Sequence, residues 1–538
     1  MTSPRLVQMF TQLDRELRFG LQRNGSLVVA RGPEDEATLR ELLARGHANG
    51  VERLRIVDRD ELRAMEPLIH PSATAALFSP DAATLTPYEF AIALAENAVD
   101  NGVELRLRRT VTALTRLDDG GFAVSANVAP SEHPAAKRSI NAAMLVPAVA
   151  CLAVAALATL APDALHDVVR APPLTLSSST ASLFVAYAPM VALALAAVAA
   201  TTSFASRAVA SKPKGDDGGV TEVIRARYVV NAAGVGADTI AKLVGDESFK
   251  IKPRLGEYLL LHKKEGSKAR HILFPAPGKM GKGVLVQTTL WGNLILGPTA
   301  ADVADPETAK RRPADIMAAI LARCRDLVPS FDAHEVIHAF SGARAKSSRG
   351  DWIIERCATA PDLVHAAGID SPGLAGSPAI ALEVVALLRA AGLATSRPNV
   401  QFNPNRRPII VPKDHMRLTA AVVQADGSVT QCRIKVEGND AATNVVCKCE
   451  KVTEAELVDA LHRSLPAGST QALRKRTRAG MGHCQGEYCE SRVKAIIARE
   501  MHVTPEDVPG RPWPASSFLP ARWLDDAQRD AVAKAGAD

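Results

Sequence analysis

Four cysteines near the carboxyl end carry the most specific chemistry in this sequence. They read Cys447-x-Cys449, a gap of 34 residues, then Cys484-x-x-x-x-Cys489. Four thiolates in two close pairs hold either zinc or an iron-sulfur cluster. Zinc sites usually bring C-x-x-C spacings, so the C-x-C pair favours the cluster. Gly480, Gly482 and Gly486 give the second pair a pliable loop. The elements that must hold these ligands are short helices: Thr453 with Glu456 forms a capping box for one, Thr470 is expected to cap a second, and residues 491–499 are helical beyond the last cysteine. Lys475, Arg476 and Arg478 either offset the charge of a bound cluster or line a solvated helix face. The remaining cysteines, Cys151, Cys324, Cys357 and Cys432, are scattered.

A second place suited to a ligand lies between residues 226 and 261. Tyr228, Val229 and Val230 form an apolar run of the kind buried on both faces of a sheet, and it stops at Asn231-Ala232-Ala233-Gly234. A helix begins near Ala237 and a further strand reaches Leu261. Ligands of open α/β sheets sit outside the carboxyl ends of the strands, so a nucleotide is expected at this turn. A dinucleotide also calls for a Gly-x-Gly-x-x-Gly turn between a strand and a helix whose N-terminus faces the pyrophosphate. No segment of the chain has that spacing.

Around these two places the pattern predicts helices over residues 5–17 and 34–49, with a strand at 25–30 between them. It continues with a helix entered at Pro87, a turn at Asn101-Gly102 and a strand running through Val111. A strand at 122–126 finds its partner only at Thr221, Glu222 and Val223. Residues 271–300 read as strands separated by glycine turns, and 306–327 as a polar or helical stretch. The fold class is therefore α/β joined to α+β.

At 538 residues the chain exceeds one ordinary core, which sets a prior of two or three domains. Aromatic residues are 4% of the total, so Leu, Val, Ile and Ala must fill the cores. The net charge of +6 is spread along the chain and gives no reason to invoke nucleic acid. The first residues lack an apolar leader, and free thiols suit a reducing compartment, so an intracellular location is expected. Residues 137–214 interrupt the pattern with two uncharged runs, 139–162 and 171–206. Lys137 and Arg138 precede them, and Arg207, Lys212 and Lys214 follow. Two readings stay open: a two-helix membrane hairpin, whose flanking cations keep both ends on the cytosolic or matrix side, or an alanine-rich insertion that spans nothing.

The segments Asn231 to Gly234, Pro253-Arg254-Leu255-Gly256-Glu257-Tyr258, Gly342-Ala343-Arg344 and Gly368-Ile369-Asp370-Ser371-Pro372-Gly373-Leu374 occur in an order that resembles the FAD-dependent oxidoreductases of the D-amino-acid oxidase superfamily. The branch is that of glycerol-3-phosphate and 2-hydroxy acid dehydrogenases. The resemblance covers roughly Gly25 to Gly392 apart from the insertion, and implies a domain over 1–127 and 221–400 with an FAD-binding doubly wound sheet lacking its first βαβ unit and an antiparallel substrate domain. It places Val111, Ala232, Ala233, Gly234, Gly342, Gly368, Ile369, Ser371, Gly373 and Leu374 beside FAD. It also puts Arg344 over the flavin, gripping the anionic group of the substrate, although Ala345 stands where the family usually has proline. A helix starting near Ala375 would aim its positive end at the flavin edge that becomes negative on reduction. The base is not assigned by the motif; His271 and His338 are candidates by residue type.

Residues 445–500 resemble the module of bacterioferritin-associated ferredoxin, which implies a 2Fe-2S cluster on Cys447, Cys449, Cys484 and Cys489. Residues 401–444 connect the two parts, and 501–538 form a tail. The reading that joins them is a dehydrogenase of a small anionic hydroxy substrate, glycerol 3-phosphate or a 2-hydroxy acid, passing electrons through the cluster to a quinone or a partner subunit. The alternative is an iron-sulfur carrier or assembly subunit without its own dehydrogenase chemistry. The missing glycine turn leaves a truncated gene model, a degenerate paralogue and a partner that supplies the unit all open.

Overall fold

The computed structural model describes residues 4–128, 220–278, 283–303, 314–394, 401–413, 417–423, 429–433 and 444–510. The two apolar runs of the insertion lie outside them. In chain order the strands that build the flavin half are β1 (Ser26–Ala30), β2 (Arg55–Asp58), β3 (Ala75–Ser79), β4 (Val229–Asn231), β5 (Ile251–Leu261), β6 (Ile272–Pro275), β7 (Leu285–Thr288), β8 (Leu294–Gly297), β9 (Ala301–Asp302), β10 (Val336–Ser347), β11 (Ile353–Arg356) and β12 (Leu363–Ala367). The helices discussed below are α1 (Pro87–Asp100), α2 (Ala237–Lys242), α3 (Gly373–Ala390), α4 (Glu454–Leu461), α5 (Thr470–Thr477) and α6 (Glu490–Met501).

A nine-stranded sheet runs β9-β5-β8-β7-β6-β1-β3-β2, with β10 lying along the whole of β5. Its buried face alternates as strand geometry requires: Leu255, Leu259 and Leu261 of β5 point into the core, while Arg254, Tyr258 and Leu260 are half-buried on the other side. Leu27, Leu273, Val286, Leu294 and Leu296 complete that core, closed by Met317, Ile320 and Leu321 of the helix Ala314–Arg325. A smaller sheet has the order β11-β12-β4, in which β12 and β4 are parallel. Its register sets His365 beside Asn231, so both strands deliver their carboxyl ends to one place. A three-stranded sheet, Arg109–Arg116, Phe122–Val128 and Val220–Ala226, of which the first two strands are antiparallel, flanks the insertion in the chain.

Several expectations shift on contact with the structure. The strand through Val111 begins only at Arg109; Val103, Leu105 and Leu107 precede it without ladder bonds and are 56%, 47% and 52% exposed. Val230 is 41% exposed, because β4 lies at the edge of its three-stranded sheet instead of within it. The helix after the Ser371-Pro372 turn starts at Gly373, two residues before Ala375. In the cysteine module the cap of α5 is Ser469, whose hydroxyl accepts from Ala472 N at 3.1 Å, and Thr470 is the first helical residue.

Among the described residues α3 is the one helix long and apolar enough to cross a membrane; its mean hydropathy is 1.4 and 17% of it is buried. Such a helix is weak evidence of spanning.

Candidate functional site

The cysteine module is built from the capping box upward. The Thr453 hydroxyl accepts from Glu456 N at 3.4 Å and the Glu456 carboxylate accepts from Thr453 N at 2.8 Å, which starts α4 directly after the Cys447–Cys449 loop. Leu457, Leu473, Val493 and Ile497 pack the three helices into one core with Val446 and Val452. The sulfurs form two pairs. Cys449 and Cys484 are 3.6 Å apart, and Cys489 is hydrogen-bonded to Cys447. That bond lowers the Cys447 thiol to about 6 and raises Cys489, so Cys447 is the readier thiolate. Gly480 N also donates to the Cys447 sulfur at 3.5 Å.

Among the described residues, the one set of three or more His, Cys, Asp or Glu ligand atoms lying within 4.8 Å of one another is Asp246, Cys357 and His365. The four cysteine thiolates, paired Cys447 with Cys489 and Cys449 with Cys484, suit a two-iron cluster. Gly482 is fixed by the same geometry: a Cβ there would lie 2.2 Å from Cys449 Cβ.

In the flavin half the separated motifs meet. The turn Gly234–Gly236 packs on β10, a Cβ on Gly368 would lie 2.6 Å from Ser347 Cβ of that strand, and Asn231 touches His365 of β12. Ala232, Ala233 and Gly234 are exposed, as are Gly342, Ser371 and Leu374. At Gly234 and Gly342 the space a Cβ would fill is open. Gly234 and Gly368 take φ values of +58° and +62°, which disfavour other residues. This rim of small residues at strand ends fits a bound dinucleotide. Val111 packs with the cluster containing Phe122, Leu363 and Val229.

A buried network that sequence reasoning missed holds the turn. Asn231 Nδ2 donates to Ala237 O at 2.8 Å and Asn231 Oδ1 accepts from Ala233 N at 3.3 Å, which fixes the orientation of the carboxamide. The same Nδ2 meets His365 Nδ1 at 3.2 Å, so Nδ1 accepts and the proton of His365 sits on Nε2, 3.1 Å from Asp246 Oδ2. Burial lowers the His365 pKa, which keeps this tautomer neutral. A neutral histidine with both nitrogens engaged in this way is a brace, not a metal ligand.

Arg344 lies on the open face of β10. A Cβ on Gly256, its diagonal neighbour on the facing strand, would come within 2.7 Å of Arg344 Nη2, so the guanidinium rests over that glycine, and Nη2 donates to Thr299 O at 3.4 Å. Neither candidate base is near it. His338 shares the strand six residues earlier, roughly 20 Å away at strand rise. His271 Nδ1 is 2.7 Å from the buried Glu66 carboxylate, and its ring meets Phe78 edge-on before the start of β6, three strands across the sheet from β5.

The cysteine module docks on the flavin half through ionic contacts. Arg478 Nε donates to Glu450 Oε2 at 2.9 Å, Nη2 donates to Asn293 Oδ1 at 3.4 Å, and the guanidinium stacks 4.8 Å from the Trp291 ring. Lys263 reaches the same Glu450 oxygen at 2.8 Å, and Lys475 sits 4.5 Å over Tyr88. Glu96 of α1, 1% exposed, holds Arg463 at 2.6 Å and also Arg406. Arg476 donates to Leu465 O at 3.0 Å. The basic run is therefore neither a solvated face nor a bare counter-charge. Arg478 and Lys475 reach from the module onto Trp291, Asn293 and Tyr88 of the flavin half, and Arg476 ties α5 to its own loop.

The model of the FAD-dependent oxidoreductase (DAO) family matches residues 4–149 and 128–387, and that of the BFD-like [2Fe-2S] binding domain matches 445–499. The chain belongs to the FAD-dependent oxidoreductase family. It carries a 2Fe-2S module at its carboxyl end, and FAD and the cluster are the cofactors of its two domains. A glycerol 3-phosphate dehydrogenase of Caloramator mitchellensis is 31% identical over 495 residues, covering 92% of this chain and 81% of the relative. The anaerobic glycerol-3-phosphate dehydrogenase subunit A1 of Haloferax volcanii is 28% identical over 311 residues, 52% of this chain and 50% of the relative. Among solved structures, the FAD-bound L-alpha-glycerophosphate oxidase of Mycoplasma pneumoniae aligns with a TM-score of 0.50 at 22% identity, over 76% of this chain and 85% of that one. This likeness carries the fold. The oxidoreductase is glycerol-3-phosphate-dehydrogenase-like in sequence over nearly its full length.

Proposed function

We propose that this oxidoreductase oxidises the secondary hydroxyl of glycerol 3-phosphate and delivers the electrons through its cluster to a partner redox subunit. The observation that carries the reading is one chain holding an arginine over a glycine floor in the flavin half and two cysteine pairs in a module clamped to that half. When bound, FAD would accept the substrate hydride, and the cluster would take up electrons one at a time. The chain's own residues do the rest. Ala232, Ala233, Gly234, Gly368, Ile369, Ser371, Gly373 and Leu374 would line FAD, and the His365–Asn231 brace would keep the first turn in place. The Arg344 guanidinium binds the substrate anion through its fork of donors. Cys447, Cys449, Cys484 and Cys489 hold the cluster.

The Caloramator relative supports the substrate, and relatives named as dehydrogenase subunits support a partner. A two-electron donor beside a one-electron relay favours a subunit or quinone acceptor over direct oxidase chemistry. The apolar runs within 139–206, with cations at their outer ends, support attachment to a membrane where such an acceptor resides. The test is an anaerobic titration of the purified chain with glycerol 3-phosphate. The flavin band should bleach, followed by the electron paramagnetic signal of a reduced 2Fe-2S cluster. Bleaching by a 2-hydroxy acid and not by glycerol 3-phosphate would move the substrate to the other class; iron and sulfide without flavin would overturn the reading.

A further inference from the structure

We propose that Arg254 is a second anion-binding residue of the substrate site, and that together with Arg344 it selects a phosphate dianion over a carboxylate. The inference rests on the reading of Arg344 as the substrate's anion ligand, and deepens it.

Residues directly opposite on an antiparallel pair share a face with Cβ atoms about 5 Å apart, and like charges in that position repel. Along the open face of β5 and β10 the register is Lys252 opposite Lys346, Arg254 opposite Arg344, Gly256 opposite Gly342, and Tyr258 opposite Phe340. Two successive like-charge pairs put four cations on one short ladder. Among the described residues Asp302 is the carboxylate that meets this row, at 2.8 Å from Arg254 Nη1. Its side chain is 57% exposed, so the pair is of the weakly held surface kind, and Arg254 is released from it at little cost. Like charges concentrated on one face of this strand pair leave a repulsion that a bound anion would relieve.

The next rungs supply the space. Gly256 and Gly342 contribute no side chain, Arg344 leans across the first, and nothing lies within 4 Å of a Cβ on the second. Beyond them Tyr258 and Phe340 stack with centroids 5.0 Å apart and planes 10° apart, forming an aromatic wall. The result is a glycine floor with a wall on one side and opposed guanidinium groups on the other.

Substrate class follows from counting acceptors. A carboxylate has two oxygens and one charge, and a single guanidinium fork satisfies it. A phosphate monoester has three free oxygens and close to two charges at neutral pH. One fork leaves an oxygen and a charge unmatched, and the residue placed to meet them is Arg254, with Lys252 and Lys346 raising the local potential.

The experiment is calorimetric titration of the full chain with inorganic phosphate and, separately, with lactate, comparing the wild type with Arg254→Gln, Arg254→Lys, Asp302→Asn and Arg344→Gln. Arg254→Gln should weaken phosphate about tenfold to a hundredfold, the scale of one charge-assisted contact, and leave lactate within about twofold. Arg254→Lys should recover part of the phosphate affinity, Asp302→Asn should tighten phosphate, and Arg344→Gln should weaken both ligands. Wild-type phosphate affinity in Arg254→Gln overturns the proposal, and so does equal loss of phosphate and lactate. If Arg254→Gln fails to fold, Asp302→Asn decides: unchanged phosphate affinity counts against Arg254. Turnover of glycerol 3-phosphate is read separately. Its absence beside Arg254-dependent phosphate binding removes the proposed substrate and leaves the dianion site standing.

Discussion

At the scale of single residues, the cluster site is decided by sterics as much as by sulfur. Gly482 sits where a Cβ would fall 2.2 Å from Cys449 Cβ, against backbone and side chain that are themselves anchored. Gly482→Ala should therefore push Cys449 off its position. We expect the substituted protein to lose most of its iron and sulfide, measured by chemical assay, while the flavin band persists. Full iron content would show that the loop yields. The four cysteines stood out as candidate ligands by spacing alone, because a metal site needs its donor types wherever the chain folds. The brace was not: His365 and Asp246 are 119 residues apart, and nothing local marks either as a partner of the other.

Among the elements, α1 does the work that joins the two halves. Its first turn carries Tyr88 and Glu89 and its last turns carry Glu96 and Asn97, all of which contact residues of the module or of the segment leading to it, or the Trp291 they share. Glu89 Oε1 accepts from Trp291 Nε1 at 2.9 Å, and burial pushes the Glu89 carboxyl up to about 7. A carboxyl whose folded pKa is raised favours the fold fully below its unfolded value near 4.5 and loses that contribution as pH rises through 7. Thermal unfolding should accordingly show stability falling between about pH 4.5 and 7. Glu89→Gln, which keeps the acceptor for Trp291 but cannot ionise, should flatten that slope. An unchanged slope would show that other groups set the pH dependence.

Taken whole, the described core is a flavin half and a cluster module locked by buried ion pairs. Arg478 and Glu450 of the module, 8% and 3% exposed at their side chains, pair with each other, and each reaches the flavin half, Arg478 at Trp291 and Asn293 and Glu450 at Lys263. Removing the Arg478 side chain takes these contacts away and leaves Glu450 with Lys263 alone, a smaller loss than the about 3–5 kcal/mol of a buried charge left with no partner. In Arg478→Ala the visible band of the cluster should melt at a lower temperature than the flavin half, giving two transitions where the wild type gives one. A single transition at the wild-type midpoint would show that the Glu96 contacts with Arg406 and Arg463 suffice. Such rigidity has a functional sense, since electron passage between two centres depends on a fixed separation.

What the sequence determined by itself was local or repeated. A strand was expected to reach Leu261, small-residue turns marked the strand ends at Asn231 and Gly368, and the cysteine spacing pointed to the cluster. Each of these is a property of a few neighbouring residues. Tertiary structure alone decided which distant residues became partners: that Arg254 faces Arg344, that Gly256 opens the space under its guanidinium, and that a basic run reading as a helix surface became a clamp on Trp291 and Glu450. Ladder register and module docking are set by the sum of many weak contacts over long stretches of chain, and no short window of sequence contains that sum.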